Sequence, residues 1–286
     1  MKKSAPGLSS SHSISTGQVL ITIQEAIATV TLSNPARLNA LSMAMWRELA
    51  DVFTRLSSDL SLRCVVLRGA GDNFAAGADI SEFPSTRMDR AGAYQYHQHV
   101  AGPALRGVAD CLHPTIAMIR GVCVGGGFEL ACSCDLRIAG RSARVGVPIK
   151  RLGFPAAPDE MRGLLAVAGR AVTLELLLEG RILDAQEARE KGLLSRVTKD
   201  AATEQEAYEC ARRIAGGSPI AARINKALAR RMFAAPKPFP KSELRAFFAS
   251  WAESADHHEG VSSFLEKRPP KFNGVAPTPP RKSRRV

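Results

Sequence analysis

Residues 121–135 read Gly-Val-Cys-Val-Gly-Gly-Gly-Phe-Glu-Leu-Ala-Cys-Ser-Cys-Asp. An apolar, strand-like run meets three glycines, and a helix-compatible segment follows with Glu129 one short turn in. A junction of this kind leaves backbone N–H groups bare at the helix start, where they favour negative charge. It also sets one carboxylate beside them in apolar surroundings, and such a group can move protons. A second stretch, Asp72-Asn-Phe-Ala-Ala-Gly-Ala-Asp-Ile80, places a glycine turn after another apolar strand. If the two turns are neighbours, Ala78 and Gly126 can aim N–H groups at one point. Taken singly, each glycine turn equally serves close packing or turn geometry.

The surrounding pattern is that of an α/β chain. Val19–Gln24 and Ile27–Ser33 alternate in character and predict two strands about a tight turn. Ser42 is placed to cap a helix running to Ser58, with Met45, Trp46, Leu49, Val52, Phe53 and Leu56 at helical spacing. Cys64–Arg68 and Thr115–Ile119 are short apolar runs, as expected of strands buried on both faces. Helix is expected over 89–111, and short strands over Leu136–Ala139 and Ala143–Val145. From Pro155 onward the chain is mainly helical, with helices expected at 158–168, 171–179, 185–191, 201–215, 219–233 and 241–254, and a Pro/Lys linker at 235–241. The order strand, helix, buried strand implies a β-α-β crossover. The result is an α/β core followed by a helical layer.

Composition narrows the function classes. A chain of 286 residues with 45% hydrophobic and 23% charged content can bury one substantial core. The net charge of +12 suggests nucleic acid at first sight. Half of that excess sits at the ends, in Lys2, Lys3, Arg281, Lys282, Arg284 and Arg285, and no basic stripe interleaved with aromatics runs through the body. The six cysteines, at 64, 111, 123, 132, 134 and 210, follow no disulfide or zinc spacing, so neither a disulfide framework nor a metal site is expected. No apolar run reaches membrane-span length. The opening residues lack the apolar core of a secretion signal. A soluble, cytoplasmic protein with no nucleic-acid or membrane partner is the expectation.

Several motifs, in order, resemble the crotonase (enoyl-CoA hydratase/isomerase) superfamily across roughly residues 18–272. Asn34-Pro-Ala-Arg-Leu-Asn-Ala-Leu41 resembles its early CoA-binding segment. Phe74-Ala-Ala-Gly-Ala-Asp-Ile80 and Gly125-Gly-Gly-Phe-Glu-Leu-Ala131, with Cys134-Asp135, resemble its two oxyanion loops. Glu179-Gly-Arg-Ile-Leu-Asp-Ala-Gln-Glu-Ala188 and Gly192-Leu-Leu resemble its helical region, and Glu259-Gly-Val-Ser-Ser-Phe-Leu-Glu-Lys-Arg268 resembles its C-terminal signature. The resemblance implies a crotonase-like α/β fold of repeated β-β-α units over 17–200 and a C-terminal helical trimerisation region over 201–272. A disordered tail over 1–16 and a basic, Pro-rich tail over 273–286 complete the expected organisation.

What the resemblance implies for function is an acyl-CoA or enoyl-CoA thioester substrate, with no separate cofactor and no metal. Ala78 and Gly126 would donate N–H groups to the thioester oxygen, a type of contact whose loss costs about 10²–10³ in rate. Glu129 would be an acid/base; otherwise it is a carboxylate favoured at a helix start. Arg37, Asp79 and Ile80 would lie along the CoA-binding loop. Phe264 and Lys267 would meet adenine and phosphate, often across a subunit boundary, in a homotrimer or dimer of trimers. For Arg37 and Lys267 the alternative is a solvated surface charge.

One departure weakens the assignment of a reaction. Hydratases of this family carry a second glutamate in a Gly-x-Pro-Glu segment, and here Gly146-Val-Pro-Ile-Lys-Arg-Leu-Gly153 puts Ile149 at that place. Isoleucine cannot ionise or hold water. Asp159 and Glu160 follow closely and can turn toward the site, or they simply start the next helix. Tyr94, Tyr96, His97 and His99 lie on the helix after the first loop; the spacing of the two histidines argues against a shared metal. The expectation is an enoyl-CoA hydratase-like enzyme. Its alternatives are an isomerase, hydrolase or decarboxylase with one carboxylate, or a non-catalytic acyl-CoA binder.

Overall fold

The computed structural model describes residues 17–234 and 240–274. The tail expected over 1–16, residues 275–286 of the second tail and residues 235–239 of the linker lie outside the described residues. Nine strands follow in chain order among the described residues: β1 (Gln18–Gln24), β2 (Ile27–Ser33), β3 (Cys64–Gly69), β4 (Thr115–Ile119), β5 (Val122–Val124), β6 (Leu136–Gly140), β7 (Arg144–Gly146), β8 (Ile182–Asp184) and β9 (Arg196–Thr198). One sheet has the order β1-β2-β3-β4-β6-β9, and β5-β7-β8 form a second. β1 and β2 make an antiparallel hairpin; from β2 to β9 the first sheet is parallel. This is a crotonase-like mixed α/β architecture with a helical C-terminal region.

The apolar runs of β3 and β4 are explained by burial on both faces. Val65, Leu67, Ala117 and Ile119 join the large core under α1 (Met43–Ser58). Their neighbours Cys64, Val66, Ile116 and Met118 face a smaller cluster with Ala207, Cys210 and Ala211. Period-two alternation thus feeds two cores from one strand. Helix α1 begins where Ser42 Oγ accepts the Met45 N–H at 3.2 Å, and all six apolar residues at helical spacing are buried.

Four short helices continue the chain: α2 (Phe83–Thr86), α3 (Arg90–Tyr96), α4 (Gly102–Asp110) and α5 (Gly126–Ser133). The single helix expected over 89–111 is therefore interrupted. A π-turn at His97–Ala101 separates α3 from α4. Turns of this kind re-aim side chains and are frequent at functional sites. Helix α6 (Pro158–Glu179) joins the two helices expected there, with Gly169 at φ 63°, ψ 177° as the break between them.

The chain ends in α7 (Ala185–Glu190), α8 (Asp200–Ala215), α9 (Pro219–Ala234), α10 (Lys241–Ala249) and α11 (Ala255–Leu265). Helix α8 supplies Ala207, Cys210 and Ala211 to the second core. The helix expected over 241–254 stops at Ala249. Ser254 caps α11 instead, accepting the His257 N–H at 3.1 Å. Among the described residues no helix is long and apolar enough to cross a membrane. No cluster of three or more His, Cys, Asp or Glu among them is placed to hold a metal ion.

Candidate active site

The two glycine turns meet. Ala75 N–H donates to Val122 O and Val124 N–H to Ala75 O, both at 3.0 Å, which fastens the first turn to β5. On the other side, Leu41 N–H donates to Gly77 O at 2.8 Å and Asp79 N–H to Leu41 O at 2.9 Å. The turn at 76–79 is thereby clamped between the segment before α1 and β5.

Glycine is required at the contact. Gly77 has φ 92°, and a Cβ there would stand 3.0 Å from Val124 O and 3.3 Å from Gly126 N. Gly125 has φ 53° and ψ −130°, a region open to glycine and little else. Its own N–H donates to Gly146 O at 2.9 Å, tying the turn to β7. A Cβ on Gly126 would lie 2.9 Å from Trp46 Cζ2 and 3.7 Å from Ala78 N. The Ala78 and Gly126 amides therefore lie side by side. Among the described residues neither N–H has a hydrogen-bond acceptor, whereas the neighbouring Asp79, Val124 and Gly125 amides are used.

Both amides open into a cavity of about 280 Å³. Glu129 lines it and is 4% exposed. The remaining wall is largely apolar: Trp46, Phe83, Tyr96, Val124, Ile149, Leu152 and Phe154, with Arg87 and Arg151 as the charged members. Burial raises the Glu129 carboxyl well above the usual carboxylate range, the Glu160 charge adds to the rise, and the Arg87 charge opposes it. Burial likewise holds the Tyr96 phenol high, so it stays neutral.

Ile149 is buried in the wall, so an aliphatic side chain fills the place where the resemblance puts a second glutamate. The two following acids do not share one fate. Asp159 pairs with Arg106, lies 3.8 Å from Arg162 and lines a different cavity. In this fold it does not line the Glu129 cavity. Glu160 closes the start of α6: its Oε2 accepts the Ala157 N–H at 2.7 Å. Its Oε1 lies 2.7 Å from His97 Nδ1, across the π-turn. Both acids start the helix, as the bland sequence reading has it, yet Glu160 is also close enough to act on Glu129 electrostatically. Lys150 faces elsewhere, its Nζ donating to Leu178 O at 2.6 Å.

The expected CoA-binding residues fall into two places. Arg37 donates to Asp79 at 2.7 Å and to Ser81 Oγ at 2.6 Å. Burial pushes the Asp79 carboxyl up, but the Ser81 hydroxyl and N–H and the Arg37 charge outweigh it, leaving the group below its ordinary value. Ile80 stands 54% exposed and lines the cavity. Phe264 is 82% exposed and lines a separate apolar groove among α9, α10 and α11, of about 640 Å³. Lys267 follows on the exposed turn after α11, at φ 54°. Within one chain, neither residue joins the Glu129 cavity.

Sequence reading did not single out Arg87, Phe83 or Phe154. The guanidinium of Arg87 lies 3.2 Å from the Phe83 ring centroid, 4.1 Å from that of Tyr96 and 5.0 Å from that of Phe154. The available signal was the four-residue spacing of Phe83 and Arg87, which puts two side chains on one helical face.

The sequence profile of the enoyl-CoA hydratase/isomerase family matches residues 22–275. The chain belongs to that family. A probable enoyl-CoA hydratase of Mycobacterium bovis is 33% identical over 254 residues, covering 89% of this chain and 97% of its own. A 2,3-dehydroadipyl-CoA hydratase of Escherichia coli is 30% identical, covering 90% and 99%. A crystal structure described as an enoyl-CoA hydratase/carnitine racemase from Magnetospirillum magneticum superposes with a TM-score of 0.87 at 44% identity, covering 90% and 96%. This family member is therefore an enzyme of the hydratase/isomerase type.

Proposed function

We propose that the protein acts on an enoyl-CoA thioester through an enolate held by the Ala78 and Gly126 amides, with Glu129 moving the proton. The observation that carries this reading is the pair of adjacent, acceptor-free N–H groups opening beside one buried carboxyl. Donors aimed where charge develops stabilise an enolate oxygen without reorganising. The cavity's apolar wall strengthens that attraction by excluding water.

Hydration is the first reading, in line with the relatives' names. The water oxygen bonds to the β-carbon and its proton passes to Glu129. The π electrons move to the α-carbon and thioester oxygen, which the two amides hold. Glu129 then returns a proton to the α-carbon. A carboxyl raised by burial holds its proton more firmly than an exposed one, which suits it to act as an acid as well as a base.

Ile149 favours a second reading, double-bond isomerisation. There Glu129 takes a proton from the α-carbon of a 3-enoyl thioester and delivers it to the γ-carbon, so one carboxylate suffices. No metal or separate cofactor enters either sequence of steps. The CoA nucleotide would run along Arg37, Asp79 and Ile80, and the apolar groove with Phe264 supports a C-terminal surface for homotrimer assembly.

Assaying the purified protein with crotonyl-CoA, a 3-enoyl-CoA and a saturated acyl-CoA separates the readings. Hydration lost in Glu129→Gln supports the first, and turnover of the 3-enoyl thioester alone supports the second. Binding of every thioester with turnover of none would leave a carrier and overturn both.

A further inference from the structure

Arg87 is an anomaly in the cavity wall. Its Nε is buried and has no hydrogen-bond partner, and its side chain forms no ion pair within 4.0 Å among the described residues. Buried donors are nearly always satisfied, and each exception calls for a cause. Three aromatic rings, Phe83, Tyr96 and Phe154, surround the guanidinium carbon. They cover its faces, and the in-plane N–H donors are what remain.

The acids nearby do not take those donors. Glu160 acts on Arg87 through its charge, but its Oε1 is held by His97 and its Oε2 by the Ala157 amide. Glu129 faces the reacting end of the cavity, and burial favours its neutral form. A plain alkyl chain in this cavity would be better served by a leucine or methionine at position 87, because a half-buried cation with an unpartnered buried N–H is costly there.

We infer that Arg87 is an anion receptor in the acyl cavity, and that the acyl group this protein takes carries a carboxylate at its free end. The inference rests on the CoA-thioester reading above and adds the substrate class to it. A carboxylate matches the guanidinium edge, which can give it two parallel hydrogen bonds. It would satisfy the orphaned donor and balance the charge that the rings hold in place. A neutral acyl chain leaves Arg87 unpaired and loses affinity for that reason.

Calorimetric titration with hexanedioyl-CoA and hexanoyl-CoA tests this without requiring turnover. The two thioesters share chain length and differ in a terminal carboxylate against a methyl group. Wild-type protein is expected to favour the diacid thioester by about 10- to 100-fold, the range of a charge-assisted hydrogen bond. Arg87→Met should abolish most of that ratio, and Arg87→Lys should retain part of it. In the unsaturated pair, the difference should fall mainly in KM.

Equal affinity of the wild type for the two thioesters overturns the inference, and that measurement needs no variant to fold. Equal loss of both thioesters in Arg87→Met also overturns it, because that is the signature of a structural arginine. Failure of both thioesters to bind the wild type would instead overturn the CoA-thioester reading itself.

Discussion

The Ala78–Gly126 wall of the cavity is made of backbone, whereas the wall of Phe83, Arg87, Tyr96 and Phe154 is made of side chains. On the backbone wall, positive φ at Gly77 and Gly125 and close approach at Gly126 fix where the amides point. On the side-chain wall, a cation is held by rings from three separate segments. The first wall depends on a few adjacent glycines and tolerates no substituent. The second depends on packing at long range and can change its content while the fold stays as it is. On the proposed function, the backbone wall speaks to the reaction type, and the side-chain wall to the acyl group.

Substitutions can break this contrast at either wall. Glu129→Gln removes the one carboxyl beside the amides and is expected to lower kcat by about 10²–10⁴, the usual worth of a positioned acid/base. Steady-state rates with crotonyl-CoA and a 3-enoyl-CoA check it; rates within twofold of wild type would move the proton chemistry elsewhere. Gly125→Ala forces a Cβ onto a residue at φ 53°, ψ −130° and turns the Gly126 amide away. A loss of about 10²–10³ in kcat is expected with KM little changed. Strain of order 1–3 kcal/mol should accompany it in denaturant unfolding.

A smaller effect concerns pH. The Glu129 carboxyl titrates above its ordinary range in the folded chain, so the folded chain keeps a proton that the unfolded chain loses above about pH 4.3. Stability then falls as pH rises from there through the raised value. Glutamine has no such proton to lose. The Tm of Glu129→Gln relative to wild type should therefore climb between pH 4 and pH 8, and each 1 kcal/mol gained should show as about 2–4 °C. A gap that stays flat with pH would show that burial does not perturb this carboxyl.

The smallest effect is expected outside both walls. Asp159 pairs with Arg106 and faces another cavity, so Asp159→Asn should leave turnover at the wild-type level. Its stability cost should be that of a partly exposed ion pair, about 0.2–1 kcal/mol. A large loss of rate would mean that Asp159 reaches the substrate after all.

How much of this was legible in the sequence follows the same division. Glycine turns, apolar strands and the Ser42-capped helix are local patterns, and the fold built on them is present. The placement of Ala78 beside Gly126 was also readable, because each turn follows a strand and the resemblance joins them. The three-residue strands β8 and β9 were missed, since so few residues show no alternation. Helix α11 was hidden by its polar opening, Ala-Asp-His-His-Glu, although Ser254 marks its start. His97 and Glu160 meet across 63 positions of sequence, so only packing brings them together. The ring cluster around Arg87 has the same origin: Phe154 is far along the chain, and Tyr96 is set by the geometry before the π-turn.

The parallel pairing of β5 with β7 puts Val124 beside Gly146, and the Gly125 N–H to Gly146 O bond continues that register. Glu129 and Ile149 both follow within a few residues of this seam. Two positions that can decide the chemistry thus ride out of neighbouring strands on separate short leads. A single codon change at 149 would give or remove a carboxylate without moving the amides across the seam. A scaffold arranged in this way can exchange the side chain at 149 while the paired amides stay where they are.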